Sequence, residues 1–364
     1  MVKQASVKQE YSKVFDQFFA PDGQSLAVCD SHGEISVFDL DAALSSPDEL
    51  EWDEVEESGQ QASSRKPAFQ LRHTDNEKRE RRSCFNVQTY ALASTDTHLI
   101  CGDSNGKLLF FRWSDLERKK SKARPVSVIL GTVGGMPDAP AEINSLRICA
   151  NAPVTSAAPT CLVSGGGGDN QVKLWNLEDG KPVASYAGHT DYIHELAVRS
   201  PNEILSASED GTVRFWDMRS SSCVHVLKPA SLDQCARPPL GKWVGCVAVS
   251  QDWMVCGGGP SAGLWHLRSL SLAQVFSADD CEPHAALFYE DKILAGGSNK
   301  AKLFQWDYQG TLISEVPTSA LSIYNISLNT NSERCKVVTV SGSSSKVDVC
   351  VNPAYKAFSL ETFV

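Results

Sequence analysis

The stretch "GHTDYIHELAVRSPNEILSASEDGTVRFWDM" runs from Gly188 to Met218. With the residues after it, it divides into four short segments: "YIHELAVRS", "EILSASED", "TVRFWDM" and "CVHVLKP". Each is rich in Val, Ile, Leu or aromatic residues and is bounded by Asp, Gly, Ser or Pro, which is strand chemistry separated by turn chemistry. "Glu-Asp-Gly" supplies a tight hairpin turn between the second and third segments. The unit therefore reads as four antiparallel strands, here named a to d.

Sliding this template along the chain recovers the c segment at "EISVFDL" (Glu34–Leu40), "KLLFFRW" (Lys107–Trp113), "QVKLWNL" (Gln171–Leu177) and "TVRFWDM" (Thr212–Met218). It then recurs at "AGLWHL" (Ala262–Leu267), "KLFQWDY" (Lys302–Tyr308) and "KVDVCVN" (Lys346–Asn352). Aligned on the Trp position, the anchors are Phe38, Phe111, Trp175, Trp216, Trp265, Trp306 and Cys350, so successive spacings are 73, 64, 41, 49, 41 and 44 residues. A base period near forty residues is that of four-stranded propeller blades. The first two spacings hold insertions. The preceding b segment also recurs, in "SLAVCD", "HLICGD", "CLVSGGGG", "EILSASED", "WMVCGGG", "KILAGGS" and "KVVTVSG". These near-continuous apolar runs suit strands covered on both faces by neighbouring blades. One blade cannot bury its own surface, so stability requires closing seven of them into a ring.

The chain of 364 residues is 42% hydrophobic and 21% charged, as expected of a globular protein with a substantial core. Its formal charge of −10 argues against duplex nucleic acid as the main ligand, because phosphate binding needs concentrated Lys and Arg. No apolar run is long enough for a signal peptide or a membrane span, so an intracellular protein without a membrane partner is expected. The 12 cysteines stand singly, many inside apolar runs, with no Cys-x-x-Cys pair. Reduced thiols acting as small hydrophobes are expected, not bridges or zinc ligands.

The Gly-His…Trp-Asp punctuation resembles the WD40 repeat family, which implies an all-β, seven-bladed WD40-type β-propeller. Only the fourth repeat carries the full pattern, with Gly188-His189, Asp210 and Trp216-Asp217. In that family such residues form a hydrogen-bonded chain within the blade. The matching positions are Trp216, Ser206 or Ser208, His189 and Asp210. A buried indole N–H and imidazole need partners, and a satisfied buried network stiffens the blade. Three stretches, "GHTDYIHELAVRSPNEILSASEDGTVRFWDMR", "DWMVCGGGPSAGLWHLRS" (Asp252–Ser269) and "KVDVCVNPAYKAFSL" (Lys346–Leu360), further resemble the WD40 subunits of the nuclear THO complex. That resemblance implies a non-catalytic scaffold in the nucleus, serving mRNA processing, splicing and export. It implies as partners the other THO subunits and the associated export helicase, with RNA contacted indirectly or weakly.

The expected organisation is a tail over 1–12 and a single propeller over 13–364, with insertions at about 41–66 and 114–124. Each blade runs in a-to-d order, so the ring is expected to close at a blade boundary and not by strand exchange. In a propeller the d–a connections and b–c turns share one face, here called upper, and the a–b and c–d loops share the other. The first insertion (Asp41–Pro67) places seven acids between Asp48 and Glu57 around a lone Trp52, and the second (Ser114–Arg124) has five basic residues in its last seven. Both fall on the lower face of adjacent blades. They read either as independent solvated loops or as docking elements, with Trp52 an anchor and Lys119, Lys120 and Lys122 a nuclear-import or RNA-phosphate patch. "NEKRERRS" (Asn76–Ser83) lies in an upper-face connection and reads as a solvated loop. "KPASLDQCARPPLGKW" (Lys228–Trp243), on the same face, offers partner contact at Arg237 and Trp243 or ordinary packing between blades.

No catalytic motif stands out, and neither a cofactor nor a small-molecule ligand is expected. "SGGGGDN" (Ser164–Asn170) lacks the Gly-Lys-Ser/Thr ending and the following helix that a phosphate loop needs, so a hairpin turn is expected. His189 and His194 have no third ligand in view and read as structural. Two other function classes remain open. Trp216-Asp217-Met218-Arg219 matches a docking pattern of cullin-type ubiquitin-ligase adaptors, and a histone or peptide reader would use the central opening. A reader needs an aromatic or acidic cage at the channel mouth, and the sequence displays none.

Overall fold

The structure is a computed structural model describing residues 12–45, 64–72, 87–118, 124–130, 141–150, 160–276 and 281–362. Its strands form seven sheets, each with four antiparallel strands that follow one another in the chain, save that one short strand, Ser64–Arg65, falls between the third and fourth strands of blade 1. Blade 1 comprises Val14–Phe19, Ser25–Asp30, Glu34–Asp39 and Phe69–Arg72, and blade 2 Thr89–Ser94, His98–Asp103, Lys107–Arg112 and Ser127–Leu130. Blade 3 comprises Ser145–Cys149, Cys161–Gly165, Val172–Asn176 and Pro182–Tyr186. Blade 4, the quoted repeat, comprises Ile193–Ser200, Glu203–Ser208, Val213–Asp217 and Ser222–Leu227. Blade 5 runs Val244–Val249, Trp253–Gly258, Ala262–His266 and Ser271–Phe276, and blade 6 Glu282–Tyr289, Lys292–Ser298, Lys302–Asp307 and Leu312–Pro317. Blade 7 runs Ile323–Leu328, Val338–Gly342, Lys346–Cys350 and Phe358–Glu361. The protein is a seven-bladed β-propeller.

All seven anchors lie in c strands, opposite an apolar b-strand residue. Phe38 pairs with Leu26, Phe111 with Leu99, Trp175 with Leu162 and Trp216 with Ile204. Trp265 pairs with Met254, Trp306 with Ile293 and Cys350 with Val338. The anchors are 1–4% exposed, which places them in the layers between blades where most apolar burial occurs. The b strands are buried along nearly their whole length, whereas the rim strand Ser222–Leu227 is largely exposed. The glycines that end several b strands have a shared cause. A Cβ at Gly166 would lie 1.8 Å from the Glu142 carbonyl oxygen, one at Gly297 1.7 Å from that of Glu282, and one at Gly342 1.9 Å from that of Ser322. In these three blades the entering chain crosses there, and only glycine leaves it room.

Blades 1 and 7 are each complete in four antiparallel strands from one end of the chain, so the ring closes at a blade boundary, but the expectation of no strand exchange is not met in full, since the blade 1 insertion lends a short strand to blade 7. Side-chain amides then fasten the seam. Gln17 donates to the Thr339 carbonyl (2.9 Å), Asn329 to those of Gly23 and Cys335 (2.7 and 2.8 Å), and Asn331 to that of Ala20 (2.9 Å). One feature has no counterpart in the repeat pattern. Ser64–Arg65, at the end of the blade 1 insertion, pairs in parallel with Ser359–Leu360 as a fifth strand on the rim of blade 7. The described cysteines are free thiols, and all but Cys223 are buried.

Candidate interaction sites

Blade 4 contains one continuous hydrogen-bonded chain. The Trp216 indole N–H donates to Ser206 Oγ (2.8 Å), Ser206 lies 2.7 Å from His189 Nε2, and His189 Nδ1 lies 2.8 Å from Asp210 Oδ2. One neutral tautomer satisfies every link, with Ser206 donating to Nε2 and Nδ1–H donating to Asp210. Burial holds the His189 pKa below its ordinary value, in keeping with a neutral ring. Burial opposes ionisation of Asp210, but hydrogen bonds from Thr212 and His189 outweigh it and leave its pKa lowered. Of the two candidate serines, Ser206 is the member of the chain. Ser208 occupies the b-strand position held by Gly166 in blade 3 and donates to the carbonyl of Asp191 (3.1 Å). It therefore bonds the crossing chain where the glycines of blades 3, 6 and 7 only make room for it. Blade 3 keeps a partial version, in which Trp175 donates to Ser164 (2.9 Å), and in blade 5 the equivalent position is Cys256, a poorer acceptor.

A second constellation lies around the central channel, whose cavity measures about 490 Å³. Each a strand is the inner edge of its sheet and presents backbone N–H groups to its neighbour. Three register-equivalent side chains satisfy them across blade boundaries. Asp16 accepts from Leu92 N of blade 2 (2.7 Å), Ser145 from Leu196 N of blade 4 (3.1 Å), and Glu195 from Val247 N of blade 5 (3.0 Å). Asn325 of blade 7 donates to Asp16 (2.6 Å), and Arg147 of blade 3 pairs with Glu195 (2.8 Å). Burial raises the Asp16 carboxyl to about 6 and that of Glu195 to about 7, with Arg147 opposing both shifts. Towards the lower face the channel wall becomes apolar, with Ile148, Val198, Val249, Phe288 and Leu328.

Above this polar layer, the a strands of six blades carry a β-bulge at one position. The register shifts at Phe15, Tyr90, His194, Gly245, His284 and Tyr324. A bulge re-aims its side chain. Five of these residues are planar rings, and at Gly245 the ring of Trp243 takes the space, 2.5 Å from where a Cβ would lie. Phe15 contacts Tyr90 and Tyr324 with centroids 5.2 and 6.2 Å apart, and Tyr324 contacts His284 at 6.0 Å. His284 stacks on Trp243 at 5.1 Å, and Trp243 meets His194 at 6.2 Å. The six rings thus form an arc through blades 2, 1, 7, 6, 5 and 4, and all are half-buried.

Comparisons with known proteins agree with this architecture. The family model "WD domain, G-beta repeat" matches residues 180–217, which span the last strand of blade 3 and the first three strands of blade 4, the segment holding the complete hydrogen-bonded chain. A solved WD40 β-propeller domain of Doa1 superposes with a TM-score of 0.64 at 13% identity, covering 94% of this chain and 93% of that one. The chain is 36% identical to the THO complex subunit 6 homolog of Danio rerio over 96% of its own length and 97% of the relative's. It is 34% identical to THO complex subunit 6 of Homo sapiens over 98% of its length and 94% of that protein's. The chain belongs to the THO complex subunit 6 family. The match to Drosophila melanogaster THO complex subunit 6 is 34% over 52% of the chain.

Within this family member the remaining sequence candidates divide by location. Trp52, Lys119, Lys120 and Lys122 lie outside the described residues, as does Asn76–Ser83. Arg237 faces inward, donating to the carbonyls of Gly258 (2.7 Å), Gly259 (2.9 Å), Pro260 (3.2 Å) and Cys281 (2.7 Å). That geometry gives it a packing role, tying the long connection to blades 5 and 6. Trp243, from the same connection, instead joins the ring arc and donates to Leu240 O (3.0 Å). His194 also joins the arc, 2.8 Å from Glu209. In the pattern Trp216–Arg219, Trp216 is part of the buried chain and Arg219 is held by Asp217 (2.9 Å). Ser164–Asn170 connects two antiparallel strands, the hairpin expected of it. Among the described residues, no group of three or more His, Cys, Asp or Glu side chains is placed to hold a metal ion. Asp16, Glu195 and the arc as a whole had no sequence signal beyond an a-strand position, because residue type varies from blade to blade.

Proposed function

We propose that this chain is a non-catalytic scaffold subunit of a nuclear THO complex, supporting mRNA processing and export through protein–protein contacts. The observation that carries the reading is the full-length similarity to THO complex subunit 6 of Danio rerio and Homo sapiens. The geometry supports it physically. A ring whose blades are fastened by buried side-chain bonds presents loops on both faces without a large ordering cost on binding. Partners are the other THO subunits and, through them, the export helicase, with RNA contact indirect or weak. The acidic insertion around Trp52 and the basic insertion with Lys119, Lys120 and Lys122 are docking elements in this reading. Charge reversal at the three lysines weakens assembly without altering the melting curve.

A tagged pull-down from nuclear extract, with and without RNase and read by mass spectrometry, tests the proposal. Recovery of THO subunits in an RNase-resistant complex supports it. Recovery of a cullin-type ligase or of histones in their place overturns it.

A further inference from the structure

We propose that the groove between blades 2 and 3 takes up an extended segment of a partner protein as an added strand on the rim of blade 2. That segment alternates apolar side chains with lysine or arginine. The proposal goes beyond the scaffold reading and does not depend on it. The groove measures about 1160 Å³, more than the roughly 300–1,000 Å³ of small-molecule pockets. Its apolar lining includes Phe110, Val126, Val128 and Ile129 of blade 2 and Leu177 of blade 3. Val126 and Val128 are 46% and 50% exposed, so apolar surface is left open along the groove. The c–d turn of blade 3 presses on the rim strand of blade 2, since a Cβ at Gly180 would lie 2.9 Å from Ile129 Cδ1. That contact holds the two walls together.

The backbone selects a strand as the occupant. Successive side chains of a strand point to opposite faces, yet Val126, Ser127, Val128 and Ile129 all border this one groove. The groove therefore runs along the outer edge of Ser127–Leu130, whose inner edge pairs with Lys107–Arg112. An outer edge presents unpaired backbone N–H and C=O groups, a template for another chain. Blade 7 demonstrates that a rim edge of this propeller accepts one, because Ser64–Arg65 is added there beside Ser359–Leu360. Charge selects the composition. Asp96, Glu178 and Asp179 line the groove, and no Lys or Arg is among its described lining residues. His98 also lines it, but burial and the Arg112 charge lower its pKa, so it adds no cation near neutral pH. Asp179 meets the exposed Lys181 at 3.5 Å, whereas Asp96 and Glu178 have no cationic partner among the described residues. A basic, apolar strand covers the valines and meets carboxylates, while an acidic segment or a phosphate meets like charge.

Fluorescence anisotropy on the full chain tests this with two labelled, amidated heptapeptides, Ser-Val-Lys-Val-Lys-Val-Ser and its counterpart with Glu for Lys. The lysine peptide should bind with a Kd below about 1 mM and the glutamate peptide at least about fivefold more weakly. Amide hydrogen exchange locates the site, and the lysine peptide should slow exchange over Ser127–Leu130 by about threefold or more. Val128→Lys, at an exposed position, should weaken the lysine peptide about fivefold, and Asp96→Lys with Glu178→Lys should do the same. Val224→Lys, on the rim of blade 4 and 49% exposed, should bind as wild type. A Kd above about 1 mM, equal binding of the glutamate peptide, or folded groove variants that bind as wild type would overturn the proposal. So would amides of Ser127–Leu130 that are protected in the free chain and unchanged by peptide, which would make a segment of this chain the occupant. Protection that rises with protein concentration would assign the edge to a second copy and overturn it as well. If the groove fails in these ways while the chain still co-purifies with THO subunits, the scaffold reading stands.

Discussion

Replacing Trp216 by alanine should destabilise the propeller by about 3–5 kcal/mol. The side chain is 1% exposed and packs between Tyr186 and His189, with centroids 5.9 Å from each, so removing it leaves a cavity in the layer between blades 3 and 4. Its N–H is also the first donor in the chain to Ser206, His189 and Asp210. Ser206 keeps His189 as a partner after the substitution, so the polar loss adds only about 1 kcal/mol to the packing loss. Trp216→Phe separates the two contributions. It preserves most of the ring volume and removes the donor, and should cost about 1–3 kcal/mol. A double-mutant cycle with Ser206→Ala should show coupling of about 1 kcal/mol, because the two residues share one bond. Equilibrium urea unfolding followed by tryptophan fluorescence and far-UV circular dichroism reads the wild type and the four variants. Midpoints for Trp216→Ala within about 1 kcal/mol of wild type, or additive single mutants, would refute the reasoning.

Three further expectations concern parts of the ring distant from blade 4. The carboxyls of Asp16 and Glu195 are raised to about 6 and about 7, above their unfolded values of 3.8 and 4.5. The folded chain thus holds protons that the unfolded chain has already released, and these groups lower stability as pH rises from about 4 to about 7. Asp16→Asn with Glu195→Gln should flatten that fall in the urea midpoint, and an unchanged slope would contradict the assignment. His189 acts in the opposite sense. Its depressed pKa means that below 6.5 the unfolded chain gains a proton the folded chain resists, so stability is lost as pH falls. His189→Gln should remove that acid-side loss, measured as the midpoint between pH 5 and 7 on the background of the two amide substitutions. At the seam, Asn329→Ala leaves two buried carbonyls without their donor and should cost about 1–3 kcal/mol, with faster unfolding in stopped-flow urea jumps. Unfolding at the wild-type rate and midpoint would mean that the seam does not depend on that amide.

How far the sequence could be read follows from what each position requires. The c-strand anchors were legible because a buried Trp or Phe opposite an apolar partner recurs in six of the seven blades, with Cys350 in the seventh, and the glycines that end several b strands recur for the same crossing of chains. The insertions were legible as departures from the period. Ser206 and Ser208 were not distinguishable, since both sit in the same b strand and only register decides which faces the indole. The ring arc was hidden for a related reason. A bulge adds one residue to the alternation of strand a, and the sites are filled by Phe, Tyr, His and a displaced Trp, so no common residue type marks them. Pairing of Ser64–Arg65 with Ser359–Leu360 involves two residues of ordinary composition brought together only by ring closure. Asp16 and Glu195 carry no residue-type signal in their a-strand segments, because their function as caps for a neighbouring blade's N–H groups depends on packing of the whole ring.

The measurement that tests the central claim most directly is reconstitution of the chain with its cognate THO subunits by co-expression, followed by size-exclusion chromatography with light scattering. The account predicts that the propeller elutes in one stoichiometric, RNA-free complex. An intact, correctly folded propeller that elutes alone while the other subunits assemble without it would contradict the account.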